Sequence, residues 1–417
     1  MADSSIPKFH EKTREERLRA LELFSNLSKD DIRILKSEGG INFEQANNMV
    51  ENAIGTVSYP LGIATNFKIN GKDYLIPMVI EEPSVIAAAS KAAKIARKQG
   101  GFIMEADESY SIGQIQVVDV DVKSVIPKVL DASDEILFLA NSKSKTLSKM
   151  GKGAKEVSCK EVTTGSGLML VIEILIDVGD AMGANVTNTM CEAIAPLIEK
   201  ITSGRVILRI LSNYSTKRLV RGKAIFDKEE LGGEEIVNNI IWAYEFAAND
   251  PYRAVTHNKG IMNGITAVAN STGQDTRAIE AAAHAYASRS GKYTSLTKWK
   301  KDKDGNLLGE IEVPMSVGTV GGIINIHPMI KVCVKILGIK SAKELACIIG
   351  AAGLAQNFSA IRALASEGIQ KGHMKLHARN IATSAEVPQE KMAAVIAQMT
   401  REGNVSVTRA KEILEKL

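Results

Sequence analysis

The sequence predicts an α+β protein: a large mixed α/β domain, interrupted by an inserted ferredoxin-like domain of order βαββαβ and followed by a small helical C-terminal flap. Three observations carry that expectation. Between Ser111 and Asn213 the pattern runs strand, helix, hairpin, helix, strand: "IGQIQVVDVD", "VKSVIPKVLDASDEILFLANSK", "AKEVSCKEV" joined through "TTGSG" to "LMLVIEILID", then "AMGANVTNTMCEAIAPLIEKI" and "RVILRIL". On either side the texture changes to isolated strands and long apolar helices. Beyond the polar break "SAEVPQE" only two short helices remain, Lys391 to Met399 and Thr408 to Glu415. The expected boundaries are 1–110 with 214–370 for the discontinuous large domain, 111–213 for the insertion and 371–417 for the flap.

The elements follow in order. Short helices are expected around Thr13 to Phe24 and Lys29 to Lys36, then a helix through "FEQANNMVENAIG" and a strand over "TVSYPLGIATNFKI". Asn70 and Gly71 suit the positive φ values of a type I′ turn, which folds that strand back onto a second one. The second strand, Tyr74 to Ile80, is apolar at almost every position, so both its faces should be covered. Side chains alternate along a strand, so Glu81 and Glu82 at its end point opposite ways; one escapes to water and the other is held near the interior. Pro83 and Ser84 are expected to open the helix Val85 to Arg97, Ser84 as its cap. A carboxylate there complements the helix dipole, which accounts for one glutamate and leaves the second for other work, such as general acid chemistry. After Arg218 the large domain resumes with a strand and the helices "EEIVNNIIWAYEFAAND", "AIEAAAHAYASRS" and "AKELACIIGAAGLAQNFSAIRALASEG".

Composition narrows the function classes. With 417 residues, 45% hydrophobic, the chain can bury substantial cores. Its 52 basic and 48 acidic residues leave a net charge of +4, too weak a bias to point to nucleic acid or membrane surfaces. An RNA-recognition module shares the βαββαβ order but needs aromatics on its central strands, and "IQVVDV", "LMLVIEI" and "RVILRIL" have none. Cys159, Cys191, Cys333 and Cys347 form no CxxC and no paired spacing, so neither a zinc knuckle nor a disulfide framework is indicated. The first 30 residues lack the apolar stretch of a signal peptide and no segment reads as a membrane span; a soluble, cytoplasmic protein is expected.

Three constellations could carry chemistry. "GDAMGAN", Gly179 to Asn185, sits at a strand-to-helix junction and suits a polar or phosphate group at the helix amides; it is neither GxGxxG nor a P-loop, and alone it reads as an ordinary turn. "THNKGIMNG" places His257, Asn258, Lys259 and Asn263 at an expected helix start, while Asp275 reads as an N-cap. "GHMKLHARN" sets His373 and His377 four residues apart, open to two readings: a zinc hydrolase pair, for which HExxH would need a glutamate where Met374 stands, or a proton donor on a mobile tail.

Taken together, "ENAIG", "EEPSVIAAAS", "DAMGAN", "THNKGIMNG" and "GHMKLHARN" closely resemble the soluble class II form of 3-hydroxy-3-methylglutaryl-CoA (HMG-CoA) reductase, in order and spacing from the N-terminal helices to the tail. The resemblance implies a four-electron reduction of HMG-CoA to mevalonate and free CoA by two NAD(P)H in turn, through mevaldyl-CoA and mevaldehyde, with no metal; the alternative is mevalonate oxidation by the same enzyme in reverse. It maps the catalytic group onto Glu82, Lys259, Asp275 and His373: Lys259 stabilising the alkoxide, Asp275 orienting that lysine, Glu82 protonating the oxygen and His373 the departing thiolate. Arg253 and Ser84 map to the substrate carboxylate, with Asn263 as a further contact. The insertion becomes the dinucleotide domain, with Asp180, Met182, Gly183 and Asn185 as cofactor contacts. An obligate homodimer is implied, its active site shared between subunits and "ENAIG" near the interface.

NADPH is expected over NADH. NAD-using members carry an acidic residue after "LAN", where this chain reads "LANSKSK", placing Ser142, Lys143, Ser144 and Lys145 there with Ser144 at the acidic position. A carboxylate would repel a 2′-phosphate, whereas hydroxyls and lysines bind one.

Overall fold

The computed structural model describes residues 3–38, 40–366 and 378–417. Ten strands form two sheets: β1 (Leu61–Ile69), β2 (Lys72–Val79), β3 (Phe102–Ala106), β4 (Tyr110–Val118), β5 (Gly153–Thr164), β6 (Gly167–Asp177), β7 (Arg205–Ser212), β8 (Leu219–Phe226), β9 (Thr297–Lys301) and β10 (Leu307–Pro314). The larger sheet has the order β2-β1-β3-β8-β10-β9, the smaller β5-β6-β4-β7. In the smaller sheet every neighbouring pair is antiparallel. Counted within the insertion, that order is 2-3-1-4, the ferredoxin-like arrangement expected from the βαββαβ pattern.

The β1–β2 hairpin closes as its turn residues dictate. Ile69 pairs with Lys72 across a two-residue loop in which Asn70 and Gly71 have φ of 49° and 80°. Tyr74, Ile76 and Met78 enter the main core, whereas Leu75 enters a second cluster with Leu21, Leu27, Val332 and Ile336, so β2 is covered on both faces. The main core is built on the helix Ala342–Ala365, of which Leu345 and nearly every residue from Ile348 to Phe358 is buried. This is the one helix among the described residues long and apolar enough to span a bilayer, and 83% of its apolar window lies inside the protein. The helix Pro251–Ser271 packs closely on it: a Cβ on Gly264 would stand 2.5 Å from the Ala352 carbonyl oxygen. Glycine is what permits that approach.

Several boundaries differ from expectation. The helix expected over residues 122–143 is two helices, Val122–Asp131 and Ser133–Asn141, and a further short helix, Lys145–Lys149, follows it. The Ser133 hydroxyl donates to the Leu130 carbonyl at 2.6 Å, competing with helix continuation. The helix Phe43–Met49 stops before "ENAIG" because Val50 adopts extended φ and ψ of −141° and 147°, and β1 begins at Leu61 rather than Thr56. At the C-terminus a helical stretch over 378–384 joins Gln389–Glu402 and Val407–Leu414 around an apolar cluster of their own, which includes Ala378, Ala382, Val395, Met399, Ala410 and Ile413.

Candidate active site

The end of β2 and the helix Pro251–Ser271 bring the first functional pair together. That helix starts at Pro251, capped by Asp250 Oδ1, which accepts from the Arg253 amide at 2.8 Å. The start lies earlier than "THNKGIMNG" suggested, and it places Lys259 and Asn263 one turn apart on a face toward β2. Lys259 Nζ lies 3.1 Å from Glu82 Oε2, and Asn263 Nδ2 approaches the same oxygen at 3.5 Å. Glu81 is exposed and Glu82 half-buried, the division expected, although the strand ends at Val79 and both lie in the bend after it instead of alternating along the strand. The pair lies open to one side, with 62% of the Lys259 and 40% of the Glu82 side chain accessible.

Ser84 occupies the position before the helix Val85–Arg97, but its φ of 72° is left-handed and its side chain makes no capping hydrogen bond. Pro83 lies outside the helix, in the turn that precedes it. The capping role expected of Ser84 is therefore corrected: the left-handed turn carries its hydroxyl away from the first helix amides. Arg253 is half-buried, and burial pulls its guanidinium below its usual value.

Asp275 stands where its reading as an N-cap puts it. Its Oδ1 accepts from the Ala278 amide at 3.1 Å and meets Arg277 at the same distance, so it caps the helix Thr276–Ala287. The helix start attracts the carboxylate. His373 and His377 lie outside the described residues. Among the described residues no group of three or more His, Cys, Asp or Glu is placed to hold a metal ion.

The "DAMGAN" segment bridges the two sheets. Gly183 precedes the helix Ala184–Thr202 at φ 106°, no side chain caps that helix start, and a Cβ on Gly183 would fall 2.8 Å from Val178. Asp180 faces inward: its Oδ1 accepts from the Ala342 amide at 2.8 Å, so this carboxylate, expected to contact a cofactor, is already engaged at the start of the core helix. Asn185 is exposed and Met182 half-buried. Sequence reasoning missed Arg218, which is 5% exposed and donates to the carbonyls of Met182 (3.0 Å), Ala181 (3.2 Å) and Val317. Burial pulls its pKa down to about 10, opposed by Asp177 and Asp180. A lone arginine after "NYSTK" carries no signal that it will be buried.

The loop after the insertion's helices is more open. Ser142 Oγ donates to the Leu139 carbonyl at 2.6 Å, and Ser144 Oγ caps the short helix Lys145–Lys149 through the Leu147 amide at 3.3 Å. Lys143 and Lys145 are exposed, and neither makes an ion pair among the described residues.

An ammonium–carboxylate pair open to solvent can stabilise an oxyanion and move a proton, and the comparisons define the class of protein as an oxidoreductase. The family model described as hydroxymethylglutaryl-coenzyme A reductase matches residues 13–378. The chain is 51% identical over 415 residues to the 3-hydroxy-3-methylglutaryl-coenzyme A reductase of Archaeoglobus fulgidus, covering 99% of this chain and 95% of that relative. Its fold matches the 3-hydroxy-3-methylglutaryl-coenzyme A reductase from Streptococcus pneumoniae with a TM-score of 0.84 at 39% identity, over 98% of this chain and 99% of that one. A class II structure from the same organism, bound to NADPH in open conformations, matches with a TM-score of 0.83 at 40% identity, over 86% of this chain and 99% of that one. The chain belongs to the hydroxymethylglutaryl-coenzyme A reductase family, and its reaction is the reductive step of the mevalonate pathway.

Proposed function

We propose that the chain reduces HMG-CoA to mevalonate and CoA with two molecules of NADPH, at a site centred on Glu82 and Lys259. The observation that carries this reading is the convergence of Lys259 and Asn263 on one oxygen of Glu82, at 3.1 and 3.5 Å. The dinucleotide supplies a hydride in each of two steps. Lys259 stabilises the negative charge that appears on the carbonyl oxygen, and Glu82, within proton-transfer reach of the same place, protonates that oxygen at the aldehyde stage. His373 protonates the departing thiolate, and Arg253 with Ser84 takes the free carboxylate of the substrate. Asp275 completes the catalytic group by orienting Lys259, in a site shared between two copies of the chain.

The dinucleotide is assigned to the domain 111–213 and the substrate to 1–110 with 214–370, with 371–417 as a flap that closes for chemistry and reopens for cofactor exchange. The uncapped start of Ala184–Thr202 fits a phosphate, and exposed Lys143 and Lys145 beside Ser144 fit the 2′-phosphate of NADPH better than a bare ribose. A homodimer is supported by apolar side chains left in water, among them Ile54 (100% exposed), Trp242, Phe246 and Tyr252 (88%). The protein is assigned to the cytoplasm. A spectrophotometric assay with HMG-CoA and each reduced dinucleotide in parallel tests the proposal: HMG-CoA-dependent oxidation, faster with NADPH, is expected, and no oxidation with either cofactor would refute it.

A further inference from the structure

The helix Pro251–Ser271 carries a buried histidine that the reaction as described does not use. His257 is 2% exposed, and its Nε2 lies 2.8 Å from Thr297 Oγ1. What lies behind that contact fixes its direction. The indole Nε1 of Trp299 can only donate, so the atom of Asn357 it meets at 2.9 Å is Oδ1. Thr297 Oγ1 gives its single proton to the same Oδ1 at 2.9 Å. A hydroxyl so committed can only accept from the imidazole, so Nε2 carries the ring proton. Nδ1 is left as a bare lone pair, buried and without a partner among the described residues. Burial first, and the charge of Arg253 second, pull the ring's pKa down to about 3, so protonation of Nδ1 does not relieve it at neutral pH.

Arg253 precedes His257 by one helical turn, and helix side chains lean toward the N-terminus, which lays the imidazole over the turn carrying Arg253. The guanidinium is half-buried and pairs with no acidic group among the described residues. Among the described residues a five-donor fork without an acceptor and an acceptor without a donor thus lie one helical turn apart, close enough for the charge of the one to act on the other.

We propose that His257 is a positioning residue: when the free carboxylate of the substrate draws the Arg253 guanidinium in, the unprotonated Nδ1 accepts one N–H of the fork and aims the rest at that carboxylate. The inference rests on the reading of Arg253 as the partner of that carboxylate. Thr297 and Asn357 act one step further back, by keeping the ring proton on Nε2. This relay makes the identity of residue 297 a determinant of substrate affinity although it lies beneath the site, 1% exposed.

Steady-state kinetics of the full-length enzyme test the assignment. His257→Gln removes the acceptor at Nδ1. Thr297→Val, nearly isosteric, removes the hydroxyl that fixes the tautomer and lets the ring turn a donor toward Arg253. Each is expected to raise KM for HMG-CoA roughly ten-fold, the loss of one hydrogen bond to a charged group, with kcat and KM for NADPH held within about two-fold. In an Arg253→Ala background neither substitution should add to the KM already lost. Full additivity in that background, or a KM for HMG-CoA left unchanged by Thr297→Val in a folded enzyme, would overturn the role of His257. Arg253→Ala with an unaltered KM for HMG-CoA would instead remove the carboxylate reading on which it rests.

Discussion

The ammonium of Lys259 and the carboxylate of Glu82 meet at 3.1 Å although 177 positions separate them in the chain. One comes from the middle of a helix and the other from the loop that ends a buried strand, and both remain half open to solvent. An ion pair so exposed adds little to stability; under the proposed function it presents its charge to the reacting oxygen.

Lys259→Ala should therefore abolish reduction of both HMG-CoA and added mevaldehyde while leaving thermal unfolding unchanged. Loss of an oxyanion stabiliser costs on the order of 3 kcal/mol or more, a rate drop of at least about a hundred-fold. Turnover within a few-fold of wild type would exclude the role.

His373→Gln should cripple reduction of HMG-CoA and largely spare reduction of free mevaldehyde, which has no thiolate to expel. His377→Gln is the control expected to do less. Equal losses on both substrates would instead assign His373 to ordering the site.

Ser144→Asp should shift the ratio of kcat/KM for NADPH over NADH toward NADH, because a carboxylate between Lys143 and Lys145 repels a 2′-phosphate. The Ser144 side chain caps Lys145–Lys149, and aspartate caps equally well, so the helix should survive the change. A ratio that does not move would locate 2′-recognition elsewhere.

Arg218→Met should lower stability by about 3 kcal/mol, because three backbone carbonyls lose a charged donor in a buried place. It should also raise KM for the dinucleotide more than KM for HMG-CoA, since two of those carbonyls belong to Ala181 and Met182. Thermal denaturation together with paired titrations of the two substrates reads both effects, and unequal stability with equal KM values would separate the anchor from the site.

The insertion was legible because the period of apolar residues switches between two and 3.6 at each junction, and the resulting order allows few sheets. The hairpin was legible from Asn70 and Gly71 alone. The left-handed Ser84 was not, since a serine before a helix ordinarily caps it and nothing in the local sequence signals a positive φ. Nor was the larger sheet's order, in which β3 pairs with β1 in parallel through Ile69 and Phe102 and with β8 in antiparallel. Long-range pairing of that kind leaves no local periodicity. Within the site, residue types came from the motifs, but the meeting of Lys259 with Glu82, the inward turn of Asp180 and the burial of Arg218 are tertiary facts, set by contacts between segments far apart in the chain.

The bridge at "DAMGAN" also bears on the order in which the molecule is completed during synthesis. All strand pairs of the smaller sheet lie between Tyr110 and Ser212, so that sheet can close as soon as this stretch has left the ribosome. Its anchors come later: Arg218 needs the Val317 carbonyl, the Asp180 carbonyl accepts from the Thr319 amide, and the Asp180 carboxylate accepts from the amide of Ala342. For the roughly one hundred residues in between, at about 5–20 residues per second, the nascent chain carries a finished small sheet on an unfastened hinge. Docking therefore waits on residues far downstream, and a ligand that bridges the two parts would favour it by mass action.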